Sequence, residues 1–385
     1  MPLKKYAALP SARMQMYYAM SRCNDVAILD YSTDGHSVYN FGHLPYISAV
    51  RQGNDNAFCA RISEVEIALG DHSKLHCAVK EIKEAGYENV FLMPSSLASV
   101  LGFDLTSLSQ ELSALFSVNV FTCGAKLNDD FYAGLQSLTL QLAKNCRYAE
   151  NRTGFNLLGG ISEGDAANHR YLARLIESAT GQSLVFDNLA ADKLSQWSCL
   201  SRAKLNVVTS KYAQKAAEFL FKEFGVPYIC VHVLGKKSQD EKLTEIARAL
   251  NGDFARRDDA VYDNVCAQFV NVLNCAKPDF VCYADTDLLS SLRAFFEEIG
   301  YSAEYICSHA GGDFAYMEIN EFIEKYRDRF VLSYDRVCRF AVRSLPLIGA
   351  GLDYRMLVPL PDASCGQEGA YRLMKSIAEK LFSDM

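Results

Sequence analysis

Several patterns are missing from this 385-residue chain, and each absence removes a class of function. No Cys-x-x-Cys pair occurs, although the chain has 13 cysteines. Zinc ribbons and thioredoxin-like redox sites are therefore excluded, and an odd, scattered set of this kind reads as reduced thiols in a cytoplasmic protein. Positive charge is not in excess. A net charge of -7 and a pI near 5.6 argue against a nucleic-acid or anionic-membrane partner. No long apolar run free of charge is present, so no membrane span is expected. Between Met1 and Met20, the residues Ser11, Arg13 and Gln15 interrupt any apolar stretch behind Lys4 and Lys5, so no secretory leader is expected. His-Glu-x-x-His is also absent.

What is present is ordinary globular composition, 50% hydrophobic and 22% charged, arranged as a repeating strand-then-helix unit. Val26 to Leu29, Asn89 to Met93 and Val118 to Phe121 read as strands. Between them, Ser73 to Ala85 reads as a helix with Leu75, Val79 and Ile82 on one face, and Leu105 to Leu115 as the next. The pattern restarts at Phe155 to Leu158, runs through strands at Ser183 to Phe186, Leu205 to Val208 and Tyr228 to Val231, and restarts at Asp279 to Tyr283. Strands alternating with helices imply βαβ units. The expected fold is α/β, with three Rossmann-like domains of mostly parallel sheets over residues 1–150, 151–253 and 254–360. A C-terminal helix at 361–385 is expected to tie the first domain to the third.

Three motif fragments fail on inspection. Gly235-Lys236-Lys237-Ser238 lacks the first P-loop glycine, since Cys230 stands there, and has Lys237 where Ser or Thr is required. It reads as a solvated loop. Gly349-Ala350-Gly351 begins a dinucleotide fingerprint, but Tyr354 replaces its third glycine. Cys266, Cys275 and Cys282 match no zinc or cluster spacing and read as buried small hydrophobes.

Five segments, in order, carry a family resemblance. They are Leu9 to Met14 with Ile28 to His36; Ser63 to Gly70 with Leu75 to Leu105; Phe155 to Gly159; Ala203 to Tyr228; and Cys365-Gly366-Gln367-Glu368-Gly369-Ala370. Together they resemble the nitrogenase component 1 family: the molybdenum–iron protein subunits, their assembly-scaffold relatives and the protochlorophyllide reductase catalytic subunits. The resemblance implies a nitrogenase component 1-like fold and a redox complex containing a homologous subunit, as homodimer or heteromer, with an iron-protein-like ATP-dependent reductase. The substrate would be a small molecule, a tetrapyrrole or a metal cofactor. The crowding of Met14, Met16, Tyr17, Tyr18 and Met20 near the N-terminus suits the expected interface.

The departures bear on the chemistry. The family's three interface-cluster cysteines fall here near Ala7 or Ala8, at His36 and at Ser96, so a family-type iron–sulfur cluster is not expected. The cysteine that holds the family's second, buried cofactor falls near Thr209, and its histidine partner at Cys365. A thiol at Cys365, beside a helix N-terminus, could ligate a metal or act as the most reactive of the cysteines. Bottom-up, the turns beyond the strand ends border a pocket between the three domains. There Ser95, Ser96 and Ser210 suit an anion, Lys126 or Lys211 a carboxylate, and His36 and His309 serve as candidate proton donors. Two functions remain open: a redox subunit, or a non-catalytic scaffold or carrier for a metal cofactor or tetrapyrrole. A bilobal solute-binding protein is disfavoured by the missing leader.

Overall fold

Short apolar strands divided by amphipathic helices fold into three parallel sheets. The structure is a computed structural model that describes residues 12–32, 56–93, 102–123, 133–161, 163–254, 258–310, 313–333, 335–338, 341–346 and 365–383. The first unit comprises α1 (Ala12–Met20), β1 (Val26–Asp30), β2 (Ala57–Cys59), α2 (Glu64–Leu69), α3 (Ser73–Glu84), β3 (Asn89–Met93), α4 (Leu105–Phe116), β4 (Asn119–Phe121) and α5 (Ala133–Ala143). The second has β5 (Phe155–Leu158), α6 (Glu163–Thr180), β6 (Leu184–Asp187), a 3-10 segment Leu194–Arg202, β7 (Leu205–Val208), a short 3-10 turn Lys211–Ala213, α7 (Gln214–Phe224), β8 (Tyr228–Cys230) and α8 (Lys236–Ala249). The third has α9 (Ala260–Ala276), β9 (Phe280–Ala284), α10 (Thr286–Glu298), β10 (Ala303–Cys307), β11 (Ala315–Tyr316), α11 (Ile319–Tyr326), β12 (Phe330–Ser333), α12 (Asp335–Cys338) and β13 (Arg343–Pro346). α13 (Gly366–Ser383) closes the chain's described part.

Strand order is β2-β1-β3-β4, then β6-β5-β7-β8, then β11-β10-β9-β12-β13, and every described pairing is parallel. Strands covered by helices on both faces need unbroken apolar runs. β1 and β9 are buried along their whole length accordingly. The helices form where the sequence offers a stripe and a cap. α3 buries Leu75, Val79 and Ile82. Asp104 starts α4 and Asp285 starts α10, each accepting two backbone N–H bonds in the first turn. One apolar cluster runs through all three sheets, from Met16, Phe91 and Phe121 through Leu158, Trp197 and Val208 to Phe280, Leu332 and Met374.

Four expectations are corrected. Met16, Tyr17 and Met20 are fully buried in the chain's own core, so they are spent internally and offer no interface. Gly235 to Ser238 is no solvated loop; it begins α8, whose first amides at Lys236 and Lys237 donate to the Glu298 carboxylate at 3.1 and 2.9 Å. Cys275 is exposed, whereas Cys282 is buried. The closing helix ties the second unit to the third. Gly366 N donates to Val233 O and Gly235 N to Gly366 O, both at 2.9 Å, and α13 packs on α8 and α9. Gly366 permits this contact because its φ is +63°, and a Cβ there would lie 2.3 Å from Gln239 Oε1.

Candidate functional site

In open parallel sheets the crevice lies beyond the carboxyl ends of the strands, where successive connections leave a strand in opposite directions. β5 is flanked by β6 and β7, and β9 by β10 and β12, so these two ends are the switch points of the second and third sheets. The residues that follow the strands there are Gly159 after β5, Thr209 after β7 and Asp285 after β9.

Thr209 is partly exposed, and its hydroxyl stands 2.7 Å from Nε2 of His169, on α6. Nδ1 of the same imidazole stands 2.6 Å from Oδ1 of Asp187, the last residue of β6. His169 is only 1% exposed, so both ring nitrogens are satisfied by these two side chains away from bulk water. Burial alone would raise the Asp187 carboxyl, but the attraction of His169, the Leu189 N–H and Arg22 outweigh it and hold the group below its usual range. Asp187 therefore accepts as a carboxylate. The imidazole turns Nδ1 to this carboxylate and Nε2 to the Thr209 hydroxyl. Gly159 makes the close packing possible: its φ is +136°, and a Cβ there would come 2.5 Å from Thr209 Oγ1 and 2.6 Å from Ser210 N.

The next residue makes a separate contact with the third sheet. Ser210 Oγ donates to Asp287 Oδ2 at 2.6 Å, and the Lys211 N–H donates to the same carboxyl at 3.0 Å. Asp287 lies in the first turn of α10. Burial pushes its carboxyl up and Asp285 adds to the rise, against the pull of His232, Ser210 and Lys211. His232 Nε2 is 3.7 Å from Oδ1. Thr286, beside it, places its hydroxyl 3.5 Å from Cys307 Sγ, which lies 3.7 Å from Nδ1 of the buried His309. Thr209 and His309 thus belong to one polar seam of three side-chain groups, Asp187–His169–Thr209, Ser210–Asp287 and Thr286–Cys307–His309, which are joined to one another only as chain neighbours.

Cys365 meets this seam from behind. Its Sγ is 3.9 Å from the carbonyl of Asn168, next to His169, and it packs against the core that contains Phe155 and Leu172. Burial pushes its thiol far up, against the pull of the helix N-terminus. As donors for a metal cofactor, Thr209 offers a hydroxyl already engaged by imidazole, and Cys365 a buried thiol near a carbonyl, which a bound metal would deprotonate. Among the described residues, no group of three or more His, Cys, Asp or Glu could share a metal ion. His36, Ser95, Ser96 and Lys126 lie outside the described residues.

Sequence reading missed His169, Asp187, Asp287 and Arg22. Arg22 reaches from the first unit to donate to the carbonyls of Ile161 and Leu189 at 2.7 and 3.3 Å. It borders a cavity of about 30 Å³ with Gly160, Asn188, Trp197 and Tyr212, room for water rather than a cofactor. A signal existed for the two carboxylates, since each sits at or just beyond a strand end. A Gly-x-Ser-x-Gly pattern, expected to be absent, is in fact present as Gly160-Ile161-Ser162-Glu163-Gly164 just after β5; Ser162 lies outside the described residues.

The model of the nitrogenase component 1 type oxidoreductase family matches residues 18–338. The solved structure titled "Nitrogenase Cp1 at pH 6.5" superposes with a TM-score of 0.75 at 15% identity, covering 100% of this chain and 94% of the other. "Nitrogenase Cp1 at pH 5" gives 0.71 at 13% identity, covering 100% and 90%. At these identities the likeness speaks for the fold. No curated protein matches the sequence.

Proposed function

Because the chain belongs to the nitrogenase component 1 type oxidoreductase family, we propose that it is the ligand-binding subunit of a nitrogenase-like redox complex. It binds a small molecule, a tetrapyrrole or a metal cofactor between the second and third sheets. It pairs with a second copy or a homologous subunit and works with an ATP-dependent reductase of the iron-protein type. The observation that supports this reading best is the polar seam from Asp187 to His309 across two facing switch points. Reduction of a bound molecule consumes protons as well as electrons, and a line of carboxyl, imidazole and hydroxyl groups is suited to supply them.

The test is anaerobic co-expression with the neighbouring gene products, followed by affinity purification. The reading predicts a stable complex that retains a ligand, with occupancy reduced by Thr209→Val and by His309→Ala. A clean monomer that binds neither a homologous subunit nor any ligand would contradict it. A second reading, a scaffold or carrier without electron transfer, draws on the same donor set: a hydroxyl and a single thiol hold a cargo more loosely than three thiolates. The carrier would transfer its ligand to an acceptor protein with no ATP-dependent change in the ligand's oxidation state.

A further inference from the structure

We propose that Thr209 is an activated nucleophile, with His169 as its general base and Asp187 as the residue that positions the base, able to take an acyl group from an activated ester or thioester. This goes beyond the redox reading and does not rest on it. The contacts occur in the order such a site requires: hydroxyl to Nε2 at 2.7 Å, and Nδ1 to carboxylate at 2.6 Å. The competing acceptor for the hydroxyl proton, the Leu158 carbonyl, is farther away at 3.4 Å. His169 is buried, the Asp187 side chain is only 9% exposed, and Thr209 is partly exposed.

The backbone setting agrees. Thr209 is the first residue after β7, and the chain then turns through Lys211–Ala213 into α7, so the hydroxyl stands at a strand-to-helix turn above a parallel sheet. Its Oγ1 and the Ser210 amide both face Gly159. The N–H of the residue after a nucleophile is a suitable donor for the oxyanion that forms on attack. In the step itself Oγ1 bonds to the carbonyl carbon while its proton passes to Nε2. The tetrahedral carbon then breaks its bond to the alkoxide or thiolate, which leaves with that proton, and Thr209 keeps the acyl group as an ester. Attack by water, with His169 again as base, frees the acid and restores the hydroxyl.

The experiment uses the full chain and 4-nitrophenyl acetate, followed by release of 4-nitrophenol, intact mass and peptide mapping. One acetyl group on Thr209 is expected. Thr209→Ser should acetylate at least as fast, Thr209→Val should lose the adduct, and His169→Gln should react about 100-fold more slowly. Asp187→Asn should slow the reaction and Asp187→Glu restore much of it at an unchanged melting temperature, which a merely structural carboxylate would not do. If His169→Gln does not fold, the Ser and Val variants decide. Acetyl groups scattered over lysines, an adduct on Ser162 instead, or an undiminished rate in folded His169→Gln would overturn the proposal.

Discussion

Asp287 should hold the second and third sheets together at their carboxyl ends. In Asp287→Ala, the Ser210 hydroxyl and the Lys211 amide lose an acceptor at 2.6 and 3.0 Å. Ser210 is 6% exposed and the Asp287 side chain 15%, so water does not readily replace that acceptor. Each buried donor stripped of its acceptor costs about 1–3 kcal/mol, giving roughly 2–6 kcal/mol before the relief from no longer burying a carboxyl. Asp287→Asn keeps an accepting oxygen and buries no charge, so it should behave differently. The Asp287 carboxyl is raised in the folded state, so its contribution is full below the usual aspartate value of 3.8 and is lost as pH rises through the folded value. The Asn variant should therefore match wild type in acid and become the more stable of the two as pH climbs above that window. Urea unfolding at several pH values measures this, with Trp197, the one tryptophan of the chain, reporting on the second unit and circular dichroism on the whole. If Ala, Asn and wild type agree within about 0.5 kcal/mol at every pH, the clamp does not bear on stability.

Gly159→Ala should destabilise by roughly 1–3 kcal/mol from overpacking alone, more with the strain of its φ of +136°, and should separate Thr209 from His169. A melting curve and the acetylation rate measure the two effects, and an unchanged rate would argue against the close approach of the β5 and β7 ends. Limited alkylation read by mass spectrometry should modify the exposed Cys77 and Cys275 first, and Cys365 and Cys282, whose thiols burial pushes up, last. Early modification of Cys365 would restore it as a candidate thiolate.

The strands were legible because parallel sheets need buried runs, and Asn89 to Met93 or Phe280 to Ala284 can be little else. α8 was not legible. It buries only Gln239, Leu243, Ile246 and Ala247 amid many charges, and its start is stabilised by Glu298, a carboxylate 61 residues away. The site divides in the same way. Thr209 and His309 could be singled out because they follow strands. The partners of Thr209 and Ser210 could not, since His169 is 40 residues from Thr209 and Asp287 is 77 from Ser210. Only the pairing of β5 with β6 and β7, and the meeting of two sheets, brings these groups together. At Cys365 two effects oppose each other, the helix end favouring a thiolate and burial pushing the thiol up, and only the second needs the fold to be seen.

The most direct test of the redox reading is the optical spectrum of the anaerobically purified complex, recorded before and after adding its reductase with ATP. The account predicts a bound chromophore or metal cofactor whose spectrum changes only when ATP and reductase are both present, and more slowly in Thr209→Val and His309→Ala. A bound ligand whose spectrum is indifferent to ATP and reductase would contradict the redox role and leave the carrier.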